Sequence, residues 1–134
     1  MAELSPAERM LKNSTDTQYL IRQLQALKAA PVPHVGIHLS PNTKANIAAF
    51  QGYLQGRIDE LSTQRGKVVE LVKQIPDQTA QEILLMRYGL TGSGREMTWI
   101  QMEMQIPSYC MQSLYRYHKK GIVQLNQLLE GETA

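Results

Sequence analysis

The sequence predicts an all-α protein in which an N-terminal helical hairpin, with one long coiled-coil-like helix, precedes a helix-turn-helix domain. Residues 41–75 carry apolar side chains mostly at steps of three and four, which is the spacing of a single long helix. Residues 98–121 carry two shorter helical patterns separated by a proline. With 134 residues, 43% of them hydrophobic, the chain can bury a core. We divide it into an N-terminal helical arm at 1–76 and a helix-turn-helix domain at 77–134.

The first helix is expected to begin at Ser5 and Pro6. Serine is a preferred N-cap, proline suits the first helical position, and Glu8 stands where a capping box needs it. Residues 13–15 are poor helix-interior residues and leave open whether the helix is interrupted there. An apolar stripe then continues at helical spacing to about Ala30.

A connector is predicted between the first and second helices, because two prolines and a glycine occupy residues 31–39. His34 and His38 would share one face only if this stretch were helical, and no third ligand lies nearby in sequence. We therefore expect no metal site.

The second helix is expected to begin at Ser40 and Pro41 and to end near Ile75. Its glycines each cost about 1 kcal/mol relative to alanine, so it needs a packing partner. That partner is either the first helix folded back as an antiparallel hairpin or the same helix of a second subunit, and we expect a homodimer built partly on this apolar seam. The seam consists of Ile47, Phe50, Leu54, Ile58, Leu61, Val68, Val72 and Ile75.

A third helix is expected after Pro76, capped by Asp77 or by Thr79. Gly89 is placed to end it in a left-handed conformation. The following loop at 91–96 contains glycines but no Gly-Lys-Ser/Thr run, so we do not expect a phosphate-binding loop.

The first helix of the helix-turn-helix is expected to begin after Thr98, which can cap it together with Gln101 in a capping box. Trp99, Met102 and Ile106 then recur on one face at helical spacing.

The turn falls near Pro107, and the second helix begins at Tyr109 or Cys110. Leu114 and Tyr117 are expected to face inward. The outward face is expected to carry Met111, Gln112, Tyr115, Arg116, Lys119 and Lys120.

Two features resemble a known family: ILLMRYG at 83–89, and Thr98-Trp99 followed by YRYHKK at 115–120. They resemble region 4 of sigma factors. More closely they resemble small phage and prophage proteins of Gram-positive bacteria, the ArpU-like and RinA-like late transcription regulators and their uncharacterised relatives. Glu103 departs from that pattern, because the family usually has a small residue there packed under the second helix, and the turn at Pro107 is one residue longer. The resemblance implies sequence-specific DNA binding by the second helix.

The leading functional hypothesis is therefore a phage-encoded transcriptional regulator that binds double-stranded DNA as a homodimer. Glutamine and arginine in a major groove can read base edges, and lysines can contact phosphates. The base-reading residues are predicted to be Cys110, Met111, Gln112, Tyr115 and Arg116. The phosphate-binding residues are predicted to be Lys119, Lys120, His118 and Arg95.

Two alternatives stay open. One is a DNA-packaging subunit of the small terminase type, which also joins a helix-turn-helix to an oligomerisation stem. The other is an inhibitor or adaptor that uses the same shape to bind a protein, such as host RNA polymerase or another phage or host protein.

Composition favours these binding roles over an enzyme. A net charge of +2 requires any DNA affinity to come from local clustering of basic residues. Carboxylates at Asp59 and Glu60 point in different directions on a helix, and the three histidines form no catalytic spacing. We expect no catalytic residues and no cofactor. A single cysteine and an acidic, polar N-terminus favour a soluble intracellular protein without membrane contact. The resemblance to phage proteins implies the cytoplasm of a bacterial host cell.

Overall fold

The computed structural model describes residues 3–29, 40–91 and 95–133, and within these ranges the chain is all-α, as predicted, with no strand. The helices are α1 (Pro6–Ala29), α2 (Pro41–Val72), α3 (Gln78–Arg87), α4 (Trp99–Gln105) and α5 (Met111–Thr133).

Two sequence predictions lie outside the described residues. They are the connector at 31–39, with His34 and His38, and the glycines of the loop at 92–94.

The starts of α1, α2 and α3 are capped by side chains that accept a hydrogen bond from the backbone N–H three residues later. The acceptors are the hydroxyls of Ser5 and Ser40 and the carboxylate of Asp77, at 3.3, 3.1 and 2.9 Å. Of the two caps that the sequence allowed for α3, Asp77 is the one used, and Thr79 lies inside the helix. The predicted starts of these helices are therefore confirmed.

Helix α1 runs without a break through residues 13–15. Ser14 and Thr15 are buried there. The Thr15 hydroxyl lies 3.3 Å from the carbonyl of Leu11 and 3.3 Å from the carbonyl of Tyr88. Thr15 thus donates toward the end of α3, so a residue with poor helix propensity is kept in α1 by a tertiary contact.

Helices α1 and α2 pack as an antiparallel hairpin. Ile21, late in α1, packs against Ile58 and Leu61 in the middle of α2. Leu11, early in α1, shares a core cluster with Val72 at the end of α2. The apolar seam of α2 is therefore covered by α1 over most of its length, which is the first of the two packing partners that the sequence left open.

The main core joins this hairpin to the C-terminal helices, and it crosses the predicted boundary between residues 76 and 77. A hydrogen bond from the backbone N of Ala7 to Oδ1 of Asn126 at 2.9 Å also joins α1 to α5. A second, from the backbone N of Asp77 to Oε1 of Gln124 at 3.2 Å, joins the start of α3 to α5. The buried core residues are Ala7, Leu11, Leu71, Val72, Ile75, Ala80, Leu84, Leu85, Leu90, Ile122 and Leu125.

Two glycines permit close approaches in this arrangement. Gly89 ends α3 with a φ of +62°, the left-handed conformation that the sequence predicted. A Cβ atom at Gly89 would lie 2.4 Å from the backbone carbon of Arg95. A Cβ atom at Gly121, within α5, would lie 2.9 Å from Cδ1 of Leu84 on α3. Residue 89 thus fixes the start of the following loop, and residue 121 lets α3 and α5 meet.

None of the helices in the described ranges is both long and apolar enough to cross a membrane.

Candidate nucleic-acid interface

The capping box that begins α4 was predicted from Thr98 and Gln101, and it is present. The backbone N of Gln101 donates to the Thr98 hydroxyl at 3.2 Å, and the backbone N of Thr98 donates to Oε1 of Gln101 at 2.8 Å. These reciprocal bonds satisfy two donors that a helix start leaves without intrahelical partners. They fix the direction in which α4 leaves the preceding loop.

The turn between α4 and α5 spans residues 106–110. Ile106 caps the end of α4, and the backbone N of Tyr109 donates to the Ile106 carbonyl at 3.1 Å. Pro107 has no N–H and cannot extend the helical ladder, so the chain turns at this point, as predicted. The backbone N of Leu114 then bonds the Cys110 carbonyl at 3.1 Å, which starts α5.

A small core holds α4 and α5 together and orients them on α3. Ile83, Met102 and Leu114 form its buried centre, one residue from each helix. Trp99, Ile106 and Tyr117 are partly buried around it. The sequence predicted this inward face for five of these residues, namely Trp99, Met102, Ile106, Leu114 and Tyr117, and the packing confirms it.

Aromatic contacts support the same core. The Trp99 ring meets the Tyr115 ring edge to face, with centroids 4.7 Å apart. The rings of Tyr109 and Tyr117 meet in the same way at 5.6 Å. Such pairs add about 0.5 to 1.5 kcal/mol beyond the area that they bury. Tyr115 is still 48% exposed, so it reaches the surface beside Trp99 rather than entering the core.

The opposite side of α5 faces solvent over its first three turns. Met111 is half-buried. The exposed residues of this side are Gln112, Tyr115, Arg116, Lys119 and Lys120. Cys110, the residue just before α5, is exposed as well. Residues 110–120 include three Arg or Lys residues and no acidic residue, so the exposed side is locally basic although the chain as a whole is only mildly so. Five of the six outward positions predicted from the sequence are exposed, and Met111 is only half-buried. Their contacts with DNA stay predictions.

Lys120 has a partner within the chain. Its Nζ lies 2.7 Å from a carboxylate oxygen of Asp77, and the Lys120 side chain is 53% exposed. The hydrogen bond from Lys120 is the largest cause that lowers the pKa of the Asp77 carboxyl, and the hydrogen bond from the Ala80 backbone is the next. Lys120 therefore joins the start of α3 to α5, and a phosphate contact would compete with this pair.

His118 lies in a different position from the one expected for a phosphate contact. It is half-buried, its Nε2 lies 2.9 Å from the Tyr88 hydroxyl, and its ring meets the Trp99 ring at 5.1 Å. Burial, followed by the positive charge of Arg87, lowers the pKa of His118. A neutral imidazole that holds α3, α4 and α5 together is a poor phosphate ligand, so this geometry favours a structural role.

Arg95 lies away from the exposed side of α5. It lines a small cavity together with Tyr19 and Arg22 of α1, beside Glu96. Oε1 of Glu96 accepts a hydrogen bond from the Tyr19 hydroxyl at 3.3 Å. A phosphate contact by Arg95 together with the lysines of α5 stays a prediction.

Glu103 is exposed on α4, so its carboxylate carries no burial cost beneath α5. At the start of α5, the Cys110 thiol is also exposed, and its Sγ lies 3.5 Å from the Ser113 hydroxyl. Hydrogen bonds from the side chain and then the backbone of Ser113 lower the pKa of this thiol.

Arg87 was quoted in the sequence motif but was given no role of its own. Its guanidinium lies over the Trp99 ring at 5.0 Å and the Tyr88 ring at 5.7 Å from the ring centroids. One nitrogen donates to the Met97 carbonyl at 2.8 Å, while the buried Nε has no hydrogen-bond partner among the described residues. Arg87 therefore connects α3 to the start of α4. The Arg-Tyr-Gly sequence at 87–89, followed ten residues later by Trp99, was the sequence signal of this arrangement.

The chain matches no protein-family model, no curated protein and no solved structure.

Proposed function

We propose that this protein is a sequence-specific DNA-binding transcriptional regulator of the phage type, which uses α4 and α5 as a helix-turn-helix. The observation that carries the proposal is the two-sided character of α5. Its inner side packs on α3 and α4 through Leu114, while its outer side is exposed, basic and free of carboxylates over residues 110–120. A helix fixed on one side and basic on the other suits a major groove.

In this proposal, the exposed side chains of α5 divide between base reading and phosphate binding. Gln112 and Arg116 lie four residues apart, so they occupy the same face one turn apart. An amide can bond an adenine edge in two places, and a guanidinium can do the same with guanine. Lys119 is one turn further on and is placed to contact the phosphate backbone.

The test is an Arg116→Ala substitution, assayed by fluorescence anisotropy on DNA fragments from the protein's own genomic neighbourhood. Arg116 is exposed, so the fold should be retained. One base contact by arginine contributes about 1 to 3 kcal/mol, which predicts a loss of affinity of at least about fivefold for the specific site. The matched control is Arg57→Ala, because Arg57 is half-exposed on α2, forms a surface ion pair with Glu60, and its replacement changes the net charge equally. Equal affinities for the two variants would refute the assigned face.

A homodimer remains part of the proposal, but its interface is smaller than the whole apolar seam of α2 that the sequence suggested. Most of the α2 seam packs against α1, and the exposed apolar residues near the start of α2 are Phe50 at 50% and Tyr53 at 65%. A dimer through this end of α2 would present two copies of α5 to a symmetric site.

A second candidate function is the protein-binding adaptor, and one feature of α4 favours it. Ile100 and Met104 lie one turn apart and are 68% and 75% exposed. Apolar side chains so exposed are common in protein contact surfaces. Weak, salt-insensitive DNA binding together with a partner whose binding is lost on Met104→Ser would favour the adaptor over the regulator.

A further inference from the structure

A polar groove runs between the first half of α1 and the second half of α2, apart from the exposed side of α5. It has a volume of about 450 Å³, which is within the range of ligand pockets. None of the described residues that line it is acidic. Its polar lining consists of Arg9, Asn13, Ser14, Thr17, Gln64 and Arg65.

Ser14 gives the groove an unused donor. Its side chain is 4% exposed, and its hydroxyl has no hydrogen-bond partner in the described structure. A buried hydroxyl without a partner is costly, and native structures contain few such groups. A ligand oxygen in the groove would supply the missing partner.

Arg65 gives the groove a positive charge at the α2 side. One of its nitrogens donates to the Gly89 carbonyl, and Arg65 also lines the groove. Burial, followed by the charge of Arg22, lowers the pKa of Arg65, so the charged guanidinium is disfavoured at this position. An anion between Arg65 and Arg9 would offset that cost.

We propose that this groove binds a phosphate group. A tetrahedral phosphate has enough oxygens to accept from Arg9, Arg65 and the Ser14 hydroxyl together, and guanidinium groups match its geometry. The phosphate belongs either to a free phosphorylated small molecule or to a DNA backbone that passes the hairpin. The groove is independent of the proposed role of α5, because none of its residues lies on α4 or α5.

The test is a titration of the full chain with inorganic phosphate. Two-dimensional NMR spectra monitor the titration through the backbone amide signals of residues 9–17 and 64–68. Saturable shifts of these signals are expected. Arg9→Gln should weaken the binding about tenfold, because a hydrogen bond from a charged donor is lost. The matched control is Lys12→Gln, which removes one exposed charge from the same helix outside the groove and should bind like the wild type.

Ser14→Ala separates ligand binding from a purely structural role. It removes a buried hydroxyl that has no internal partner, so the midpoint of urea unfolding should not fall. Phosphate affinity should nevertheless drop about threefold. An absence of saturable shifts in the wild type, or equal phosphate binding by the Arg9→Gln and Lys12→Gln variants, would overturn the proposal.

The source of the phosphate is assigned with the same variants and duplex DNA. If Arg9→Gln reduces the dependence of DNA affinity on salt while Lys12→Gln does not, the groove holds a backbone phosphate. If DNA affinity and its salt dependence are unchanged in Arg9→Gln although phosphate binding is lost, the groove takes a free ligand. Loss of DNA binding in Arg116→Ala would leave the phosphate titration unaffected, so the two proposals fail separately.

Discussion

Replacing Gly89 with alanine should destabilise the protein strongly, because two separate costs fall on that position. Its φ of +62° places an L side chain in the left-handed region, which costs about 1 to 2 kcal/mol. An added Cβ would also lie 2.4 Å from the backbone carbon of Arg95 and 2.5 Å from the backbone nitrogen of Glu96. Because backbone atoms cannot rotate away as a flexible side chain can, we assign this overlap about 1 to 3 kcal/mol. The expected loss is about 2 to 5 kcal/mol.

The matched control is Gly52→Ala, the same substitution in the interior of α2. A Cβ atom there would meet nothing within 4 Å. Alanine is better than glycine in a helix interior by about 1 kcal/mol, so this variant should be more stable than the wild type.

Urea unfolding followed by circular dichroism measures both variants, and the slope of the transition tests whether it stays two-state. A Gly89→Ala variant as stable as the wild type would refute the left-handed cap and the close packing of the loop. A Gly52→Ala variant that is less stable than the wild type would refute the open face of α2.

Two further predictions concern the contacts that position α3 and α5. Asp77→Ala should lower the free energy of unfolding by about 0.5 to 2 kcal/mol, because the N-cap is lost. The control Asp77→Asn retains the cap and removes only the charge paired with Lys120. Equal losses of stability for the two variants in urea unfolding would contradict the capping role. His118 has a pKa below its unfolded value of about 6.5, so the unfolded chain takes up a proton more readily and stability is lost as pH falls below that value. The urea concentration at the unfolding midpoint should therefore decrease as the pH is lowered from about 7.5 to about 5.5, and His118→Gln should make this decrease smaller. An equal decrease in the variant and the wild type would show that another group is responsible.

Most helix starts could be predicted because they depend on residues close together in sequence. Ser5, Ser40 and Thr98 each cap a helix with a partner three residues away. Gly89 ends α3 because its own conformation requires a glycine. The continuity of α1 could not be predicted, because Thr15 is accommodated through the Tyr88 carbonyl, which is 73 residues away.

Most of the outward side of α5 was predictable from helical spacing, but the contacts of His118 and Lys120 were not. His118 follows Leu114 by four residues and shares its inward side, although its polarity suggested an exposed position. Its partner Tyr88 is 30 residues away, and the partner of Lys120 is Asp77 at the start of α3. Spacing defines a face, whereas partners brought together by folding decide which basic residues on α5 remain available.

The most direct test of the proposed function is the binding of the wild-type protein to DNA fragments from its genomic neighbourhood. Binding is measured by fluorescence anisotropy at about 50 and about 200 mM salt. The molar mass of the protein is measured on the same sample by light scattering. If the exposed side of α5 binds a major groove, binding is saturable, depends on sequence and weakens steeply with salt, and the protein has the mass of a dimer. Absence of binding at both salt concentrations, or affinity that does not depend on sequence, would contradict the proposed function.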